Sequence, residues 1–301
     1  MENSNPNPSK TRPLITIAMI TRNMKESLKE CLVSLSQQTV SDYEIVLVDD
    51  RSTDGTKELI EQHGDPRIRY FRNDRRLGYA GTRNLTLEKA RGEYIFFTDA
   101  DCVPQKDWLE RGLQAYKKNG CLGVVGKTLP LGESTRRSDR IVANLDGRFM
   151  TCNMSFRREI FDKLGGFDPA FDTGQEDVEF GLRAKQHGTI AFEESMIIFH
   201  QIRPYTLKRM FTDAGRYKTV VMIFKRYRHD DYHQKNSPKI ARGIFLKPED
   251  WWIIFCPILL FRSPSNQTLR DFLIIPFVYL ATIYRRFVIW KTAFRERIFF
   301  I

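Results

Sequence analysis

The 301-residue sequence predicts an α/β protein with a Rossmann-like, mostly parallel central sheet flanked by helices, followed by a helical C-terminal extension. Three observations carry that expectation. Between Leu14 and Asp101, short apolar, β-branched runs alternate with segments of helical periodicity, the pattern of βαβ units with right-handed crossovers. The runs read as continuously apolar, as strands buried on both faces do. Acids stand where two of the runs end, at Asp49-Asp50 and Asp99-Ala100-Asp101, and in open α/β sheets the ligand crevice lies outside the carboxyl ends of the strands.

Leu14 to Ile20 is the first strand, and Asn23, with Glu26 three residues on, is a capping signal for a helix carrying Leu28, Cys31, Leu32 and Leu35 on one face. Tyr43 to Val48 is the second strand. Its acids lead into Arg51-Ser52-Thr53-Asp54-Gly55-Thr56, a turn and helix start, and a helix from Lys57 to Gln62. Ile68 to Phe71 is a third strand, Tyr79 to Ala90 a helix after the Leu77-Gly78 turn, and Tyr94 to Thr98 the strand that delivers Asp99-Ala100-Asp101. These acids suit either a hydrated divalent ion beside a phosphorylated ligand or a solvated turn capping the next helix.

Lys106 to Lys118 is a helix, Cys121 to Gly126 a strand, and Lys127 to Gly147 a charged excursion without periodicity. Phe149 to Phe156 reads as a strand, Arg157 to Leu164 as a short helix, and Gly165-Gly166-Phe167-Asp168 as a turn that brings backbone close to a ligand. Gly174 to Arg183 opens a helix with Glu176, Asp177 and Glu179 at its start, where the macrodipole stabilises negative charge. Thr189 to Phe199 is a further strand running into His200, a lone histidine that suits a structural or a ligand role.

Composition narrows the chemistry. The apolar fraction of 42% is enough for a sizeable core, and the net charge of +11 points to anionic partners. No strand is followed by G-x-G-x-x-G and no G-x-x-x-x-G-K-[ST] occurs, which disfavours dinucleotide enzymes and P-loop ATPases. A bound diphosphate is then neutralised by a metal ion and by arginines, with Arg75, Arg76 and Arg83 as nearby candidates that otherwise read as surface charge. The cysteines, Cys31, Cys102, Cys121, Cys152 and Cys256, lack C-x-x-C spacing, so the chain is expected in a reducing cytoplasm. Residues 1–13 are polar, without the apolar core of a signal peptide, and read as a disordered leader.

Taken together, the segments from Leu14 to His200 resemble the family-2 glycosyltransferases of the GT-A fold. The resemblance lies in the order of Thr21-Arg22-Asn23, Val48-Asp49-Asp50 with S-T-D-G-T, Gly78-Tyr79-Ala80 with Arg83-Asn84, Gly92-Glu93-Tyr94, Asp99-Ala100-Asp101, Gly165-Gly166-Phe167-Asp168, Glu176-Asp177 and the late histidine. It implies a nucleotide-diphosphate sugar as donor, a UDP-sugar being favoured, and Mn2+ or Mg2+ as cofactor. It further implies that Asp50 holds base or ribose with backbone around Ile20 and Thr21, that Asp99 orients ribose, and that Asp101 and His200 meet the metal. Asp177 matches the general base, with the adjacent Glu176 as the alternative, since neighbours on a helix point about 100° apart. The reaction implied is inverting transfer of one sugar to a hydroxyl of a glycan or lipid-linked acceptor. Processive members carry Q-x-x-R-W and several membrane spans, and this sequence has neither. A sugar-phosphate nucleotidyltransferase, which would want a glycine-rich loop after the first strand, and a basic membrane- or nucleic-acid-binding module are the alternatives; nucleic acid is not expected as a partner.

Residues 14–235 are thus expected to form the catalytic domain, with a donor half over about 14–101 and an acceptor half over about 102–235, and 236–301 an apolar, basic extension. From Arg203 to Arg228 eight Lys or Arg residues and one acid, Asp213, interleave with aromatics, which reads as a helix closing over the diphosphate or lying against a membrane. Trp251 to Phe261 and Phe272 to Tyr284 are uncharged runs of 11 and 13 residues, short of the roughly 18 that span a bilayer and interrupted by Pro257 and Pro276. With Lys and Arg flanking them, residues 245–301 suit a peripheral seat on the cytoplasmic face of a membrane. They equally suit a helical pair packed on the catalytic domain or on a second subunit of a homo-oligomer.

Overall fold

The computed structural model describes residues 12–133, 139–204, 206–228, 254 and 269–298. The elements run β1 (Ile15–Thr21), α1 (Lys25–Ser36), β2 (Tyr43–Asp49), α2 (Thr56–His63), β3 (Ile68–Arg72), α3 (Gly78–Lys89), β4 (Tyr94–Asp99), β5 (Cys102–Pro104), α4 (Trp108–Asn119), β6 (Gly123–Leu131) and β7 (Asp139–Arg140). After these come β8 (Met154–Arg157), α5 (Arg158–Leu164), α6 (Glu176–Lys185), β9 (Ile190–Gln201), β10 (Arg203–Pro204), α7 (Leu207–Gly215), α8 (Tyr217–Tyr227) and α9 (Leu269–Arg295). One sheet takes the order β3-β2-β1-β4-β8-β6-β9-β5, and β7 pairs with β10 apart from it.

The expected mostly parallel sheet is present. Its parallel pairs are β1·β2, β2·β3, β1·β4 and β6·β9, and the insertion of β8 between β4 and β6 makes the antiparallel contacts at the centre. β1 is nearly all buried and β2 entirely so, which is why both read as continuous apolar runs. A side chain on Gly92 would put Cβ 2.4 Å from the Thr16 amide nitrogen, so only glycine lets the chain enter β4 against β1.

Beneath β4 and β8, Phe97, Phe156, Phe161, Phe167 and Phe180 interlock: Phe156 meets Phe180 edge-on at 5.1 Å and Phe97 meets Phe167 edge-on at 5.5 Å. Phe180 lies one turn beyond Glu176, so this cluster fixes where the acids of α6 stand. On the opposite side, β6 and β9 slip register between Gly126 and Lys127. A slip leaves carbonyls without ladder partners. Asn153, fully buried, fills it: Nδ2 donates to the Lys127 and Met196 carbonyls at 2.9 Å each, and Oδ1 accepts from Trp108 Nε1 at 2.9 Å.

Several local expectations are corrected. Asn23 does not cap α1; it takes φ 52°, and its Oδ1 accepts from the Thr53 amide while Asp54 accepts from the Lys25 amide at 2.9 Å. The loops after β1 and β2 therefore cap each other, a pairing that local spacing does not reveal. β6 continues to Leu131 into the excursion, because β9 offers it partners as far as Gln201. The strand expected over Phe149 to Phe156 is confined to β8, and the basic segment after Arg203 is a short strand and two helices rather than one helix.

The 27-residue α9 passes through Pro276, which was expected to interrupt the apolar run. Contacts hold it: Ile289 and Ala293 pack with Val221 of α8, Phe211 of α7 meets Tyr284, and Lys225 pairs with Glu296 at 2.9 Å. Its other face is exposed, with Leu273, Leu280, Phe287 and Phe294 at 66, 50, 59 and 78%. Among the described residues no helix is long and apolar enough to cross a membrane. The Trp251 to Phe261 run lies outside the described residues except Ile254, whose carbonyl accepts from Tyr279 Oη at 3.4 Å. Residues 1–11 of the leader also lie outside them.

Asn153→Leu removes three buried hydrogen bonds and strands their partners. It is expected to cost about 2–4 kcal/mol of unfolding free energy, read as a lower urea midpoint at unchanged m-value.

Candidate active site

Strand order brings the sequence-predicted acids to one edge. β2, β1 and β4 lie side by side and parallel, so Asp49-Asp50, Thr21 and Asp99 all stand at carboxyl ends. Asp49 is a structural acid, accepting from the Ser52 amide at 2.7 Å and from Tyr70 Oη at 2.7 Å. Asp50, 6% exposed, accepts from Asn73 Nδ2 at 2.9 Å and the Leu77 amide at 2.8 Å through one oxygen, Oδ1, so it also pins the approach to α3. Its amide donates to the Thr21 carbonyl at 3.0 Å, while Thr21 Oγ1 is buried without a hydrogen-bond partner among the described residues. Ile20 precedes it, half-buried.

Arg83 comes up from α3 between two elements. Its Nη2 donates to Asp99 Oδ1 at 3.1 Å and its Nη1 to Glu176 Oε1 in a shorter contact. Arg83 and Glu176 are 5 and 3% exposed. Arg75 and Arg76 instead lie exposed on the turn before α3, so of the three candidate arginines Arg83 is the one that enters the crevice. Glu176 Oε2 has no partner, and burial, opposed by Arg83, pushes this carboxyl up to about 7. Asp177 turns away from its neighbour: Oδ2 accepts from the Thr151 amide at 3.3 Å and Oδ1 from the Val178 amide at 2.9 Å. Burial raises its pKa too, against the attraction of Arg83.

A second constellation forms where β5 pairs antiparallel with β9, setting Cys102 opposite His200. That register puts Asp101 Oδ2 3.5 Å from His200 Nε2, both residues about 5% exposed. His200 Nδ1 lies 3.0 Å from the Gln201 carbonyl, which accepts its proton and leaves Nε2 as the atom facing the carboxylate. Asp101 and His200 each offer a ligand atom within 4.8 Å of one another, which makes this a possible metal site. Cys102 completes the cluster on distance alone. Burial pushes its thiol well up, and a soft sulfur atom suits a hard ion less well than a carboxylate does.

The C-terminal third contributes residues that sequence reading treated only as a basic run. Arg203 Nε lies 3.3 Å from Asp101 Oδ2. Arg216 donates to Tyr79 Oη, stacks over the Tyr79 ring at 4.9 Å and pairs with Asp213 at 3.1 Å, while Arg209 also meets Asp213. The interleaved arginines and aromatics were the available signal; which of them face the crevice depends on the turn between α7 and α8.

Glu176 makes the pH dependence of folding testable. Its folded pKa of about 7 lies above the ordinary 4.5, so the folded chain holds this proton more tightly than the unfolded chain. Stability from this group is full below about pH 4.5 and falls as pH rises to about 7. In Glu176→Gln that part of the decline should vanish, measured as urea midpoints at pH 5 and pH 7.5; an unaltered decline would contradict the buried carboxyl.

Comparisons with known proteins agree with this arrangement. The Glycosyl transferase family 2 profile matches residues 16–167. Glycosyltransferase AglE of Haloferax volcanii is 28% identical over 219 residues, 67% of this chain and 72% of that protein. In structure the chain is similar to the mannosyltransferase PcManGT from Pyrobaculum calidifontis, solved with GDP-Man and Mn2+, at a TM-score of 0.63 and 19% identity over 98% of this chain and 90% of that one. It is also similar to S. aureus TarS 1-349 in complex with UDP-GlcNAc, at a TM-score of 0.55 and 16% identity over 95% and 93% of the two chains. These likenesses show the GT-A fold, and they set aside the nucleotidyltransferase and non-enzyme readings. The alternating strands and their terminal acids, the curled mostly parallel sheet and the sequence match all lead to one assignment: the chain belongs to glycosyl transferase family 2 and is a nucleotide-sugar-dependent glycosyltransferase.

Proposed function

We propose that the chain is a metal-dependent, inverting glycosyltransferase that moves one sugar from a nucleotide-sugar donor to a hydroxyl of a glycan or lipid-linked acceptor, in polysaccharide, lipid-linked glycan or protein-glycan synthesis. The observation that carries this reading is the division of charge in the crevice. Asp101 and His200 make one candidate metal-binding pair, while Glu176, buried against Arg83, and the half-buried Asp177 stand as a separate pair of acids.

In this reading the donor half, about 14–101, holds the nucleotide. Ile20, Thr21 and Asp50 meet base and ribose, Thr21 through its unpartnered hydroxyl, and Asp99 orients ribose. A UDP-sugar is favoured as donor. Asp101 and His200 would hold Mn2+ or Mg2+, which when bound supplies positive charge to the departing diphosphate. In the acceptor half, about 102–235, Asp177 takes the proton from the acceptor hydroxyl, and attack opposite the leaving group inverts the anomeric carbon. Glu176 is the less suited base, because Arg83 already uses one of its oxygens. Its role is to hold Arg83, and through Arg83 Asp99, in place.

The exposed stripe of α9 is read as a seat on anionic lipid at the cytoplasmic face of a membrane, which would bring a lipid-linked acceptor to the crevice; α9 of a second copy in a homo-oligomer is the competing occupant.

Thermal shift with UDP, GDP and dTDP, each with and without Mn2+, is expected to give metal-dependent stabilisation by at least one nucleotide. Asp177→Asn should keep that stabilisation and lose transfer by about 10²- to 10⁴-fold. Asp101→Ala should lose the metal-dependent part, and the opposite pattern would refute the two roles. For the membrane seat, Leu280→Glu with Phe287→Glu should abolish co-sedimentation with anionic vesicles while leaving Tm nearly unchanged; sedimentation equal to wild type would sink it.

A further inference from the structure

Arg203 lies three residues beyond His200, at the start of the two-residue strand β10. Its Nε is 3.3 Å from Asp101 Oδ2, the same oxygen that stands 3.5 Å from His200 Nε2. Its Nη2 donates to Ser27 Oγ at 2.9 Å, so one end of the guanidinium is anchored on α1 and the other on the carboxylate. An ion seated between Asp101 and His200 and this guanidinium seek one oxygen, and positive charges within a few ångströms in a partly buried site repel strongly.

We propose that Arg203 is a positioning residue that couples metal binding to nucleotide binding: its guanidinium competes with the divalent ion for Asp101 Oδ2, and it yields that oxygen when a nucleoside diphosphate offers phosphate oxygens in its place. Two features make the exchange feasible. Arg203 is 30% exposed against 6% for the Asp101 side chain, so it is the mobile partner of the pair. Among the described residues β10 pairs with β7 alone, through Arg203 opposite Arg140 and Pro204 opposite Asp139, so little described sheet structure resists its displacement. A guanidinium exchanges a carboxylate for phosphate readily, since its fork of N–H donors fits both. The ion alone must then displace Arg203 without compensation, whereas ion and diphosphate together give the guanidinium a new partner.

This inference rests on the metal-dependent reading, and one experiment separates the two. Binding of Mn2+ to the full chain is followed by the EPR signal of the free ion, first alone and then with saturating UDP or GDP, for wild type, Arg203→Gln, Arg203→Met and the remote charge control Lys57→Gln. Both Arg203 variants are expected to bind Mn2+ alone about tenfold more tightly than wild type, and the enhancement by nucleotide should shrink by a similar factor, within the range usual for coupled sites. Lys57→Gln should match wild type. Unchanged or weaker Mn2+ affinity in both Arg203 variants overturns the competition, and tighter binding with undiminished nucleotide enhancement overturns the coupling. Failure of every protein to bind Mn2+ under any condition overturns the metal-dependent reading and this inference with it.

Discussion

The buried guanidinium of Arg83 is the contact on which the crevice depends. It sits on α3 and joins Asp99 at the end of β4 to Glu176 at the start of α6. A buried charge costs several kcal/mol unless paired, and this guanidinium has two carboxylate partners. Because α3 follows the parallel strands β1 to β3 and α6 follows the antiparallel β8, this one side chain bridges both parts of the sheet. The phenylalanine cluster below serves the same end from the apolar side, holding the first turn of α6 against β4 and β8.

Each acid at the sheet edge has its own set of partners. Asp49 is spent on its own turn and on Tyr70, Asp50 on the loop before α3, and Asp99 on Arg83. Asp101 faces histidine and arginine, and Asp177 faces backbone amides. Differences in burial and partner, more than residue type, distinguish the members of this carboxylate set.

The C-terminal helices pack onto α3 through Tyr79. α7 and α8 bring Arg209 and Arg216 to Tyr79, and α9 braces both through Ile289, Ala293 and Tyr284. An apolar stripe is left facing outward on the same helix that packs against α7 and α8.

By itself the sequence determined the succession of strands and helices and the placing of acids at strand ends, because two-sided burial and strand termination are written in residues adjacent along the chain. Asp50, Asp99 and Asp101 were legible for that reason, and Glu176-Asp177 as acids opening a helix. Tertiary structure alone decided their partners. Asp101 meets His200 and Arg203 only through the antiparallel pairing of β5 with β9, Glu176 meets Arg83 across 93 residues, and the loop holding Asn23 is capped by one that follows β2. Pro276 was legible as a helix breaker, yet packing of α9 on α7 and α8 outweighed it. Local periodicity determines which face of an element is apolar; register between distant strands determines which two charged side chains share that face, and register is set by the packing of the whole sheet.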